Sequence, residues 1–145
     1  MSDAELIEAS LLRIADTGIV LRHGLFERFF AAFPERQAAF LSTEATSVRM
    51  TDETLQILYG LAQDEAWVWP LIAELVGTHR SYGTLPLAEY DAFIDLTLEE
   101  LAKALGPDWT QPCAAAWGRQ ATRFKALIAE ATADWNRILP RSANA

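Results

Sequence analysis

Residues 25 to 40 read LFERFFAAFPERQAAF, with five phenylalanines, at 26, 29, 30, 33 and 40, gathered around Pro34. Leu21, Leu25, Phe26, Phe29 and Phe30 recur at three- and four-residue spacing, which puts them on the inner side of a helix expected from about residue 19 to 33. Pro34 ends that helix and can open a short one, PERQAAF, because a missing N–H costs nothing in a first turn. Aromatic residues at such spacing usually fill a core. Five of them around one break also suit the lining of an apolar pocket.

The same periodicity extends in both directions from this stretch. Ser2 and Asp3 can cap a helix whose apolar positions Leu6, Ile7, Leu11, Leu12 and Ile14 lead to Thr17-Gly18. Downstream, LSTEATS is expected as a polar loop, with the next helix starting at Ser47 or Thr51 and weakening at Gly60 and QDE. A helix of about three turns should run from Pro70 to His79 or Arg80 and close at Gly83. A longer one follows from about Pro86 to Leu105, stopped by Gly106-Pro107. The last begins near Thr110 or Pro112 and carries Trp117, Phe124, Leu127, Ile128 and Trp135 towards Leu139. Six to eight helices with short links and no repeat describe an all-α fold. Residues 1–2 and 140–145 are expected as frayed ends.

Composition narrows the function classes. A chain of 145 residues, 51% of them apolar, suffices for one core and is short for two ordinary domains, so residues 1–145 are expected to form a single domain. No run approaches the ~20 uninterrupted apolar residues that cross a bilayer, and the acidic, amphipathic start MSDAELIEAS is unlike a secretory signal. The lone Cys113 cannot form an internal disulfide, which suits a reducing cytoplasm. A net charge of −8, with twelve Lys and Arg in no block, disfavours nucleic acid as a partner.

Few residues can carry chemistry. His23, beside Arg22 and Gly24, points by helical phase to an edge of its helix and reads as a surface or structural residue. His79 ends a stripe made by Ile72, Leu75 and Val76, so its ring should emerge over an apolar surface where the chain turns at Ser81-Tyr82-Gly83. Such a histidine is either a hydrogen-bonded structural residue or a ligand, and taken alone it is more often the former.

The order of these pieces resembles the globins, in particular the bacterial single-domain haemoglobins and the haemoglobin domain of flavohaemoglobins, from about Leu11 to Phe124. A Phe-rich helix, Pro34, and Phe40 six residues on are similar to the stretch that packs on the haem in that family. His79, 39 residues after Phe40 in a helix ending LVGTHRSYG, resembles the proximal ligand, and LGPDWTQPCAAAWGRQ resembles the approach to the family's final helix, with Trp117 at the matching tryptophan.

The resemblance implies a globin-like fold around haem b, iron protoporphyrin IX, with His79 as the metal ligand. It also places Phe40 against one face of the macrocycle, Phe26 over the sixth coordination position, Leu75 one turn before His79, and Tyr90 and Phe93 on the next helix. Phe29, Phe30 and Phe33 are expected between helices. A backbone carbonyl of the Leu75 turn is the expected partner of the second His79 nitrogen. Two departures bear on activity. Where the family carries a distal tyrosine and glutamine that hydrogen-bond bound oxygen, this chain has Phe26 and, on gapless alignment, Met50. Neither donates, and Thr54, one turn beyond, is the only small polar candidate facing the ligand. Met50 can fill space or, as a thioether, serve as an axial ligand. Where the family pairs a proximal tyrosine with a glutamate, Tyr90 matches, but the glutamate position reads Thr132, with Glu130 two residues away.

Three functions are open on this basis. The first is reversible binding of a diatomic gas (oxygen, NO or CO) for oxygen binding or transport, scavenging or sensing. The second is a nitric oxide dioxygenase served by an external reductase, since no Gly-rich phosphate fingerprint is present. The third is a haem-free globin-like module that binds a partner. Homodimer formation is left open by the sequence.

Overall fold

In the computed structural model, which describes residues 1–140, every regular element is helical: α1 (Asp3–Thr17), α2 (Leu21–Ala32), α3 (Thr43–Ala62), α4 (Val68–His79), α5 (Leu87–Leu105) and α6 (Gln111–Ile138). Short 3-10 helices, Pro34–Ala39, Arg80–Tyr82 and Gly106–Asp108, sit at the links. The expected frayed tail lies, from residue 141 on, outside the described residues. Ser2 caps α1, as its side chain allows. Its hydroxyl accepts the Glu5 amide N–H, and the Glu5 carboxylate accepts the Ser2 backbone N–H, so two orphan donors are satisfied together. Gly18 closes α1 in the left-handed region, at φ 72°.

The polar stretch LSTEATS is not a loop. The Ser42 hydroxyl accepts the Ala45 amide at 3.3 Å and α3 starts at Thr43, four residues before the earlier expected start. Its polar side chains concealed an amphipathic pattern of unusual composition, in which Ser47, Thr51 and Thr54 turn inward and are buried while Thr43, Glu44 and Ala45 face water. Small hydroxyl residues can occupy a buried face when the helix's own carbonyls take their protons, as Glu44 does for Ser47 at 2.9 Å.

α6 is the element on which the others assemble, packing against α1, α3, α4 and α5, while α2 lies across α5 and also meets α3. Around α6 the main core gathers on Trp117, which is fully buried together with Ile7, Ile57, Leu58, Ile72 and Leu101. The Trp117 indole N–H donates to the Ser10 hydroxyl at 3.2 Å, and Ser10 in turn contacts Cys113 Sγ at 3.0 Å. That accounts for Cys113 as a small buried packing residue. A second cluster is separate: Leu25, Phe26, Phe29 and Phe93 are buried between α2 and α5, with Phe30, Phe33, Phe40, Met50 and Leu96 packed on them. No described helix is long and apolar enough to cross a membrane.

Candidate functional site

His79 is the last residue of α4, and its Nδ1 lies 2.8 Å from the Leu75 carbonyl oxygen, one turn back. A carbonyl only accepts, so Nδ1 carries the proton and donates, which leaves Nε2 as a lone-pair donor on the far side of the ring. The Leu75 partner expected from the sequence is therefore in place. Tyr90 stands edge-on to the imidazole, with ring centroids 5.6 Å apart, and Tyr82 lies at 6.4 Å. Burial pushes the Tyr90 phenol up to about 12.

α4 is seated on α6 by contacts that sequence reasoning missed. A Cβ at Gly77 would lie 2.8 Å from Trp135 Cζ2, so only glycine lets the helix come this close to the indole. The Trp135 Nε1–H donates to the Ala73 carbonyl at 2.8 Å. Beyond His79, the Arg80 guanidinium donates to Asn136 Oδ1 at 2.9 Å and to the Leu139 carbonyl, and lies over the Trp135 ring. Only a glycine two residues before the histidine and a tryptophan in the last helix hinted at this, and nothing in the sequence pairs them.

The remaining candidates belong to the separate cluster of α2, α3 and α5, which Phe40 joins from the end of the 3-10 helix Pro34–Ala39. Phe26 is buried and meets Phe40 at 5.7 Å and Phe93 at 5.4 Å, both near edge-to-face. Phe40, half-buried, also packs on Phe30 at 5.1 Å, and Phe29 on Phe93 at 5.5 Å. Edge-to-face pairs contribute about 0.5–1.5 kcal/mol each beyond area burial, so this wall is cohesive without polar bonds. Met50 packs on the same cluster.

Of the eight candidates, Phe26, Phe40, Met50 and Phe93 are thus brought together in one cluster, while Leu75 and Tyr90 pack on the edge of the main core and His79 meets Tyr90. α5 joins the two groups, since Tyr90 and Phe93 lie one turn apart on it. Thr54 is buried, but its hydroxyl donates to the Met50 carbonyl at 2.7 Å and is not free to serve a ligand in that arrangement. The buried hydroxyl without a partner is Thr51 Oγ1, three residues before it, which the sequence did not single out. On the His79 side, Thr132 gives its hydroxyl proton to the Ile128 carbonyl at 2.8 Å, and Glu130 is exposed. Among the described residues no carboxylate hydrogen-bonds Tyr90. His23 is exposed on α2, as expected for a surface residue.

The described residues hold no cluster of three or more His, Cys, Asp or Glu side chains able to cage a bare ion. The single oriented imidazole, beside Tyr90 and Tyr82, could serve only a metal whose other bonds a bound group supplies. Depressions of about 200 Å³ beside Arg13 and Asp108 and about 210 Å³ beside Asp52 and Tyr59 lie apart from all eight residues, and neither brings a nucleophile to a base. No family model matches the chain, and no curated protein does.

Proposed function

We propose that the chain is a haem-binding protein of globin type that binds a diatomic gas reversibly, with His79 as the iron ligand. The observation that carries the reading is the 2.8 Å contact between His79 Nδ1 and the Leu75 carbonyl, which fixes the ring and its tautomer and turns Nε2 outward. The helix order and the packing of α1, α3, α4 and α5 on α6 are compatible with a globin-like arrangement. The group, when bound, would supply an iron able to take up a gas.

The residues of the chain divide the remaining work. Leu75 keeps the imidazole turned by accepting its Nδ1–H through a carbonyl and not a carboxylate, so the ligand is not made strongly electron-donating. Tyr90 and Phe93, one turn apart on α5, would form that side of the pocket. Phe40 and Phe26 supply apolar area, and Met50 fills space beside them. Phe26 and Met50 offer no hydrogen to a gas, so selectivity should lean to uncharged carbon monoxide over partially negative bound oxygen. With Thr132 committed to Ile128, the described residues offer Tyr90 no carboxylate partner of the kind that would favour O–O activation. Reversible binding is accordingly preferred here over NO dioxygenation.

Haem titration of the purified protein, followed by exposure of the ferrous form to carbon monoxide and then to argon, tests the reading. A one-to-one endpoint with a Soret shift that reverses is expected. Absence of a Soret band at stoichiometric haem would leave a haem-free partner-binding module as the better reading.

A further inference from the structure

The short 3-10 helix Pro34–Ala39 has none of its residues buried, so apolar burial does not hold it, although it leads directly into Phe40. Phe40 itself packs on Phe26 and Phe30, both from α2. One link carries this arm across to α5. The Arg36 Nε donates to Glu89 Oε2 at 2.7 Å and its Nη2 donates to Oε1 at 2.8 Å, a two-bond fork on a carboxylate that is only 7% exposed. Glu89 immediately precedes Tyr90 and lies one turn before Phe93, so the fork joins the arm that carries Phe40 to the stretch of α5 that carries the other pocket residues.

We propose that the Arg36–Glu89 pair is a latch that positions Phe40 against the bound macrocycle and sets how long it is retained. The inference rests on the haem reading and adds two positioning residues to it; neither touches the group. A planar fork fixes both distance and rotation, which a lysine's point charge cannot do, so the guanidinium and not merely its charge is required. A protein of this size holds other forks, and Arg119 supplies the control. Its guanidinium grips Asp3 at 3.0 and 2.6 Å, joining α6 to α1 away from the arm.

The test is the rate at which the ferric holoprotein gives up haem to excess apomyoglobin, in Arg36→Gln, Arg36→Lys, Glu89→Gln and Arg119→Gln, with the unfolding midpoint of each apoprotein measured alongside. The latch variants should lose haem about tenfold faster, since tenfold corresponds to one good charged contact, with Arg36→Lys retaining haem no better than Arg36→Gln. Arg119→Gln should leave the rate within a factor of two or so of wild type, the change expected for an exposed pair. The double variant Arg36→Glu with Glu89→Arg should recover part of the retention. Equal acceleration by Arg119→Gln, in step with lowered apoprotein stability, would show a general scaffold contact and overturn the proposal. Unchanged haem loss in the latch variants overturns it as well, while leaving the haem reading intact. A wild type that takes up no haem removes the pocket reading first and the latch with it.

Discussion

The α4 wall that carries His79 and the phenylalanine wall on α2 are built on opposite principles. α4 is fixed by directional contacts: a glycine that lets it touch Trp135, an indole N–H on Ala73, an arginine reaching past the histidine to α6, and the Leu75 carbonyl on the ring itself. The α2 wall is almost wholly phenylalanine, in edge-to-face contact, with an ion pair holding its outer arm. A metal ligand must be placed within a fraction of an ångström and a few degrees, which needs hydrogen bonds and tight steric stops. A flat apolar surface needs area and some give, which aromatic packing provides. Each wall should therefore tolerate different substitutions.

Gly77→Ala should do the most damage on the directional side, because the new methyl meets Trp135 at 2.8 Å and overpacking of this kind costs about 1–3 kcal/mol. Urea unfolding of the apoprotein measures it, and a neutral result would mean that α4 can slide on α6 and that its wall is not rigidly set.

Phe26→Tyr addresses the other wall. It adds a hydroxyl to a surface of phenylalanine and methionine, and a new donor contributing about 1.4 kcal/mol would slow oxygen release about tenfold. Stopped-flow displacement of oxygen by carbon monoxide reads the rate. A wild type that already releases oxygen slowly would show that a donor is present, and Thr51 would be the first to examine.

Tyr90 sits where the walls join, and its effect should appear only in alkali. In the folded chain its phenol keeps its proton up to about 12, whereas unfolded it releases near 10. Between those values the unfolded state binds fewer protons, so stability falls as pH rises from about 10 to about 12 and is unaffected by this group below that window. Tyr90→Phe should flatten that part of the pH dependence by up to one proton. An unchanged slope would mean that the phenol is better solvated than its position beside His79 implies.

The smallest effect belongs to His23, exposed on α2. His23→Ala should change stability by less than about 0.5 kcal/mol and leave haem uptake as it is, measured by the same titration.

The sequence made some of this plain and hid the rest for physical reasons. Helices with strong apolar stripes, such as α1 and α5, were legible with ends correct to a residue or two, because Ser2, Gly18 and Gly106 act locally. The start of α3 was missed because its inner face is Ser47, Thr51 and Thr54, polar by composition and buried in fact. His79 and Phe26 stood out as residues, and Leu75 as the partner of His79, because a histidine can reach the carbonyl one turn back along its own helix. The seating of α4 on Trp135, and the reach of Arg36 to Glu89 across 53 positions, depend on helix crossings that no local spacing encodes.

Everything proposed for the pocket depends on His79, and no other side chain, supplying the bond that holds the group. The decisive variant is His79→Gly, titrated with haem in the presence and absence of millimolar imidazole. It should lose tight haem uptake and the ferrous spectrum of a histidine-ligated iron, and free imidazole should restore both by entering the space the side chain left. Full haem retention with an unaltered spectrum in His79→Gly would contradict the assignment.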